Sequence, residues 1–186
     1  MQTAKSGNSL RALTETAILV AVAFVLSFFK FDLWANGGSV TPASMLFILM
    51  IGIRRGPVWG VGGALAYSLL QMLQSFSPPP AETPLNFLLV VLLDYIVAFT
   101  ILGFSGFFGK FKNGILYAAP VCLLVRFACH FASGILIWAS YVPEGTPVWL
   151  YSLTYNGSYM GIELVICMAA AFALLRYDKT ILARQE

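Results

Sequence analysis

Six long apolar runs, joined by short connections that carry nearly all of the charge, constrain this chain more than any motif does. They lie at about 12–29, 42–53, 56–76, 84–109, 114–140 and 148–175. A helix that crosses a bilayer needs roughly 20 mostly apolar residues. The second run is short, and the last three are long enough to tilt. Only 10% of the 186 residues are charged, whereas a soluble domain carries about a quarter. That is too little polar surface to cover a globule, so the bilayer must serve as solvent. The chain reads as an all-α integral membrane protein, with six transmembrane helices in one domain over 1–186 and short tails at about 1–11 and 176–186. No small-residue cleavage site follows the first run, which reads as a retained helix rather than a leader.

The placement of charge sets an expected orientation. Lys5, Arg11, Arg54, Arg55, Lys110, Lys112, Arg176, Lys179 and Arg184 fall on one alternating set of connections, against Lys30 alone on the other. The positive-inside rule then puts both termini in the cytoplasm, as an even number of spans requires. The connections on the opposite side are longer and richer in proline and glycine, as in "SFSPPPAETP" at 75–84. Function is therefore expected to face outward.

Polar residues inside the runs point to a site. In "RFACHFASGILIWASY", from Arg126 to Tyr141, the residues Arg126, His130, Ser133, Gly134 and Trp138 share one face of an ideal helix. At 1.5 Å per residue, Asp94, His130 and Asn156 lie roughly 13, 15 and 12 Å below the outer ends of their runs. Three runs thus bring polar groups to one layer, with Trp138 and Tyr151 above it. Ionisable groups at such depth are costly and face a bundle interior or a cavity. Alternatives compete residue by residue. Trp138, Tyr141, Trp149 and Tyr151 also suit an interfacial aromatic belt, His130 could satisfy a backbone carbonyl, and Asp94 could pair with Arg126. The favoured pairing is Arg126 with Glu163, as a pocket floor that leaves Asp94 free for a ligand. Carboxylate, imidazole, amide and aromatics together suit a flat cationic heteroaromatic.

Other chemistry is poorly supplied. Cys122, Cys129 and Cys167 show no metal spacing, and there is one histidine, so neither a metal nor a cofactor is expected. No phosphate-binding GxxxxGK[ST] loop occurs, so any energy for transport must come from another protein. A nucleic-acid partner has no basic domain to meet. Small residues at Ala17 and Ala21, and at Gly56, Gly60, Ala64 and Ser68, suit close helix approach. The second set is expected to pack inside the bundle, and the first inside it or against another membrane subunit.

Four segments in order resemble one family: "LWANGGSVTPASM" after the first run, "TPLNFLLVVLLDYIVAF", "RFACHFASGILIWASY" and "WLYSLTYNGSY". They are similar to the thiamine-specific substrate-binding subunit (S-component) of energy-coupling-factor vitamin transporters, over nearly the whole chain from Ala12 to Leu175. The resemblance implies a six-helix, non-enzymatic protein of the bacterial plasma membrane that captures thiamine from outside with high affinity. It further implies docking on a membrane coupling subunit driven by two ATPase subunits. By position it makes Trp34, Asp94, Tyr95, His130, Trp138, Tyr151 and Asn156 ligand-binding residues, with Ala17 and Ala21 contacting the coupling subunit. Asp94 stands where the family usually has Glu, one methylene longer.

Two rival readings remain. One is a related uptake subunit for another heterocycle, such as the pyrimidine part of thiamine or another vitamin. The other is an intramembrane serine protease using "GFSG" at 103–106, with Ser105 as nucleophile and His130 as base. Their depths differ by on the order of 10 Å, whereas a base must come within about 3 Å of its nucleophile. A purely structural membrane protein would leave the layer of Asp94, His130 and Asn156 unexplained.

Overall fold

The structure, a computed structural model, describes residues 2–31 and 38–185, with side chains from residue 8 onward. Six helices follow the six apolar runs: α1 Gln2–Ser27, α2 Ser44–Arg55, α3 Pro57–Gln74, α4 Pro84–Phe108, α5 Ile115–Leu136 and α6 Val148–Tyr177. Among the described residues, four stretches are long and apolar enough to cross a membrane: Asn8–Ser27 of α1, and all of α4, α5 and α6. The chain is a multi-pass membrane protein. The other two helices differ from the six-span expectation for physical reasons. At 12 residues, α2 reaches only about 18 Å, short of the roughly 30 Å hydrocarbon layer. In α3, Gln71 and Gln74 near the C-terminal end reduce the apolar character of an 18-residue helix.

What α2 lacks in length it makes up in burial. Leu46, Ile48, Leu49, Ile51 and Ile53 are almost wholly excluded from solvent and lipid, and α1, α3, α4, α5 and α6 all pack on it. A short helix that is apolar all round belongs in a core. The stripe Gly60, Ala64 and Ser68 of α3 is buried, as the small-residue pattern predicts. Contact with α4 is close enough that a Cβ on Gly60 would lie 2.4 Å from the Gly103 carbonyl oxygen.

Local sequence signals set the irregularities that matter for the site. Thr83 caps α4, its hydroxyl accepting from the Asn86 N–H at 3.2 Å, and Pro84 occupies the first turn. Seven residues after Pro84 in the same rod, Val91–Ile96 form a π-helical turn before α-helix resumes. Such turns are rare and cluster at functional sites. Here the turn carries Asp94 and Tyr95.

Charge gathers at one end of the bundle. Glu15 of α1 accepts from both Arg54 and Arg55, and Arg54 also donates to the Thr180 and Ile181 carbonyls. The Gln185 N–H donates to the Arg54 carbonyl at 2.8 Å. These contacts fold the residues after α6 back as a short 3-10 turn, Lys179–Leu182. Two expected limits move accordingly. Helix α1 begins at Gln2 rather than near 12, and the expected tail from 176 is partly helical and partly folded against α2. Helix α5 stops at Leu136 rather than running to 140.

Candidate ligand-binding site

At the end opposite the arginines, α3, α4, α5 and α6 enclose a cavity of about 240 Å³. A single water needs only about 10–15 Å³ of such space, so the cavity suits a small organic molecule. Asp94, Tyr95, His130, Trp138, Tyr151 and Asn156 all line it, which brings six of the seven expected ligand residues to one place. Trp34, the seventh, lies outside the described residues.

Asp94 is the centre of the polar wall. Its Oδ1 lies 3.1 Å from His130 Nδ1, and its Oδ2 accepts from Ser133 Oγ at 2.7 Å and from Trp138 Nε1 at 3.0 Å. The expectation of a carboxylate free for a ligand therefore needs correction: three neighbours already hold it. The π turn and the end of α5 explain how. Once α5 stops at Leu136, the chain turns and Trp138 reaches back over Ser133, its indole N–H 3.1 Å from the hydroxyl. With the carboxylate as acceptor, the imidazole proton belongs on Nδ1. His130 Nε2 is then buried on the cavity wall without a partner among the described residues. Among the described residues, no Lys or Arg comes within ion-pair distance of Asp94.

Arg126 and Glu163 do not form the expected ion pair. Glu163 accepts the Thr41 N–H at 2.9 Å and the Thr41 hydroxyl at 2.8 Å. Arg126 instead lies over the Phe99 ring, 4.4 Å from its centroid. Its Nε is buried with no hydrogen-bond partner. Sequence spacing placed both residues at the floor, but the entry of the chain into α2 offers Glu163 a backbone donor that spacing does not show.

Asn156 ties α6 to α5. Its Nδ2 donates to the Ser152 carbonyl at 3.0 Å and to that of His130 at 3.3 Å, while Tyr159 donates to its Oδ1 at 2.8 Å. The helices meet closely at Gly134, where a Cβ would lie 2.2 Å from Ser152 Oγ. Tyr151 stacks on Tyr155 at 5.7 Å. Trp138 stacks on Tyr141, also at 5.7 Å. Tyr95 is a clasp for the proline-rich connection, its hydroxyl donating to the Ser75 carbonyl at 2.7 Å and accepting the Ser77 N–H at 2.9 Å.

The serine-protease reading fails on geometry. Ser105 is fully buried and donates to the Leu49 carbonyl at 2.8 Å, while His130 faces Asp94. "GFSG" is helix packing. Among the described residues no three His, Cys, Asp or Glu side chains converge as metal ligands would.

A partly buried carboxylate facing a small-molecule cavity narrows the ligand, and comparison with known proteins settles the family. Residues 13–183 match the model of the family described as "Thiamine transporter protein (Thia_YuaJ)". The chain belongs to that family. Within the thiamine transporter family, it is 37% identical over 172 residues to "Thiamine transporter ThiT" of Bacillus subtilis (strain 168), covering 83% of this chain and 85% of that protein. It is 27% identical over 182 residues to the protein of the same name in Lacticaseibacillus paracasei, covering 90% and 88%. The solved structure of ThiT from Listeria monocytogenes superposes with a TM-score of 0.78 at 25% identity, covering 95% of this chain and 99% of that one.

For this member of the thiamine transporter family, sequence reasoning missed part of the cavity wall. Tyr155 and Tyr159 continue the α6 face begun by Tyr151, and a count of i, i+4, i+8 along that helix finds them. Thr41, Ser27, Gln71 and Gln74 also line the cavity. The two glutamines carried a signal, since amides inside an otherwise apolar run need partners.

Proposed function

We propose that this chain is the thiamine-binding S-component of an energy-coupling-factor importer and that thiamine occupies the cavity around Asp94. The observation that carries the proposal is the Asp94 wall: a partly buried carboxylate, paired with no Lys or Arg among the described residues, beside the unpartnered His130 Nε2. Thiamine brings a permanently positive thiazolium and an aminopyrimidine with an amidine-like edge. The first gains from a nearby negative charge and from aromatic faces. The second offers an amino donor to Asp94 or to His130 Nε2, with Asn156 lining the space beside them. Names of the related proteins in three bacteria support the same ligand.

In this reading the cavity opens to the outside, both termini are cytoplasmic, and the membrane is the bacterial plasma membrane. A coupling subunit and two ATPase subunits supply the energy. Ala17 and Ala21, both exposed on α1, supply the contact face. No cofactor takes part. The test is calorimetric titration of purified, detergent-solubilised protein with thiamine, followed in parallel by tryptophan fluorescence. One site per chain and a quench of Trp138 emission are expected. Absence of heat, quench and thermal stabilisation at saturating thiamine rules the ligand out, and tighter binding of the isolated pyrimidine would favour the precursor instead.

A further inference from the structure

The cavity has a second polar wall that faces away from the Asp94 cluster in sequence and in chemistry. It is built from Ser27 at the last residue of α1 and from Gln71 and Gln74 one turn apart on α3, and all three line the cavity. The hydrogen bonds fix how each group is used. Ser27 Oγ lies 2.6 Å from the Phe24 carbonyl, which can only accept, so the hydroxyl proton is directed there. The same oxygen then accepts from Gln71 Nε2 at 2.8 Å. The second proton of Gln71 Nε2 goes to Gln74 Oε1 at 3.1 Å. That bond, rather than the 2.9 Å approach of Ser27 Oγ to the same oxygen, sets the amide of Gln74 with its oxygen inward. The chain of bonds leaves over one acceptor, Gln71 Oε1, and one NH2 donor, Gln74 Nε2. Neither has a protein partner among the described residues.

Apart from His130 Nε2 on the Asp94 wall and the Arg126 guanidinium at the floor, several polar groups on the cavity lack this spare capacity. Tyr95 spends its hydroxyl on Ser75 and Ser77, Glu163 is held by Thr41, and Asn156 by Ser152, His130 and Tyr159. Both glutamines are only partly buried, so water can meet the unused acceptor and donor until a ligand group displaces it. An alcohol meets both at once, since its hydroxyl donates and accepts. The wall carries no charge of its own, so it has no preference for the cationic ring, which belongs with Asp94.

We infer that Gln71 and Gln74, held by Ser27, form a specificity subsite that takes the ligand's uncharged hydroxyl-bearing tail. The inference rests on the thiamine reading, in which that tail is the hydroxyethyl group.

The test compares thiamine with an analogue whose hydroxyethyl arm is replaced by ethyl, titrated calorimetrically into wild type, Gln74→Leu and Gln71→Leu. Wild type should prefer thiamine by roughly three- to tenfold, the range of a neutral hydrogen bond or two. Gln74→Leu should lose that preference while binding the ethyl analogue as tightly as wild type does. Gln71→Leu also breaks the bond to Ser27, so it should lose the preference and weaken both compounds. Gln74→Leu gives up the contacts of its side-chain oxygen with Gln71 and Ser27 but leaves the Gln71–Ser27 bond that joins α3 to α1. Equal loss for both compounds in Gln74→Leu would make the residue merely structural and overturn the subsite, as would an undiminished preference. If wild type binds neither compound, the thiamine reading itself has failed.

Discussion

Thr41 gives both of its donors to Glu163, the backbone N–H at 2.9 Å and the hydroxyl at 2.8 Å. The carboxylate of α6 is therefore committed to the residue that leads the chain into α2. Arg126 is left with an aromatic ring for a neighbour.

A double-mutant cycle measures the consequence. Arg126→Met with Glu163→Gln should show a coupling below about 1 kcal/mol in thermal or chemical unfolding, whereas breaking a closed buried ion pair costs about 3–5 kcal/mol. Glu163→Ala alone should destabilise by roughly 1–3 kcal/mol, because two buried donors lose their acceptor. A coupling of 3 kcal/mol or more would restore the ion pair.

Asp94→Asn should weaken thiamine binding by about 1–3 kcal/mol, the value of a hydrogen bond to a charged group. The variant should fold, since no Lys or Arg depends on the carboxylate. A small drop in melting temperature is expected, because an amide offers Ser133, Trp138 and His130 one acceptor oxygen in place of two. Unchanged affinity in calorimetry would remove Asp94 from the site.

Gly134→Ala places a methyl group 2.2 Å from Ser152 Oγ and 3.3 Å from Asn156 Nδ2. Overpacking of this kind costs typically about 1–3 kcal/mol. It should also separate His130 on α5 from Asn156 on α6, so ligand affinity should fall along with melting temperature. A variant with wild-type affinity would show that the two helices need not be this close.

Ala17 and Ala21 are exposed on α1, on the side that also shows Leu10, Leu13 and Val25. The double change Ala17→Trp, Ala21→Trp should leave thiamine binding by purified protein within twofold of wild type, as roughly 0.4 kcal/mol would allow. Uptake by cells, and copurification with the ATP-driven module, should be abolished by the loss of close helix approach. Normal uptake would exclude this face as the docking surface.

Six apolar runs became six helices because hydrophobicity and turn residues act locally, and both are written in the sequence. Depth counting from run ends likewise brought Asp94, His130 and Asn156 together, because a helix converts residue number into height at a fixed rate. Pairing was less legible. Which acceptor Thr41 or Trp138 chooses depends on where α2 begins and where α5 ends, and each shift of a few residues turns a side chain by a large fraction of a circle. The π turn around Asp94 was hidden for the same reason: one extra residue per turn leaves no mark on composition. Gln71 and Gln74 could have been found, since two amides in an apolar run are as conspicuous as a single histidine. Their neutrality made them easy to pass over.

The two ends of this bundle are held by different kinds of contact. At the arginine end, α3 and α4 touch backbone to backbone at Gly60 and Gly103, where no side chain fits between them. At the cavity end the contacts run through side chains: the Tyr95 clasp ties α4 to Ser75 and Ser77 at the end of α3, and Gln71 ties α3 to Ser27 of α1. A backbone contact has no rotamers to exchange, whereas a side-chain bridge can open and re-form one bond at a time. The molecule is thus built like tweezers, with a fixed joint and compliant tips. Substitutions at the tips can retune what is gripped, and a methyl group at the joint would jam every grip alike.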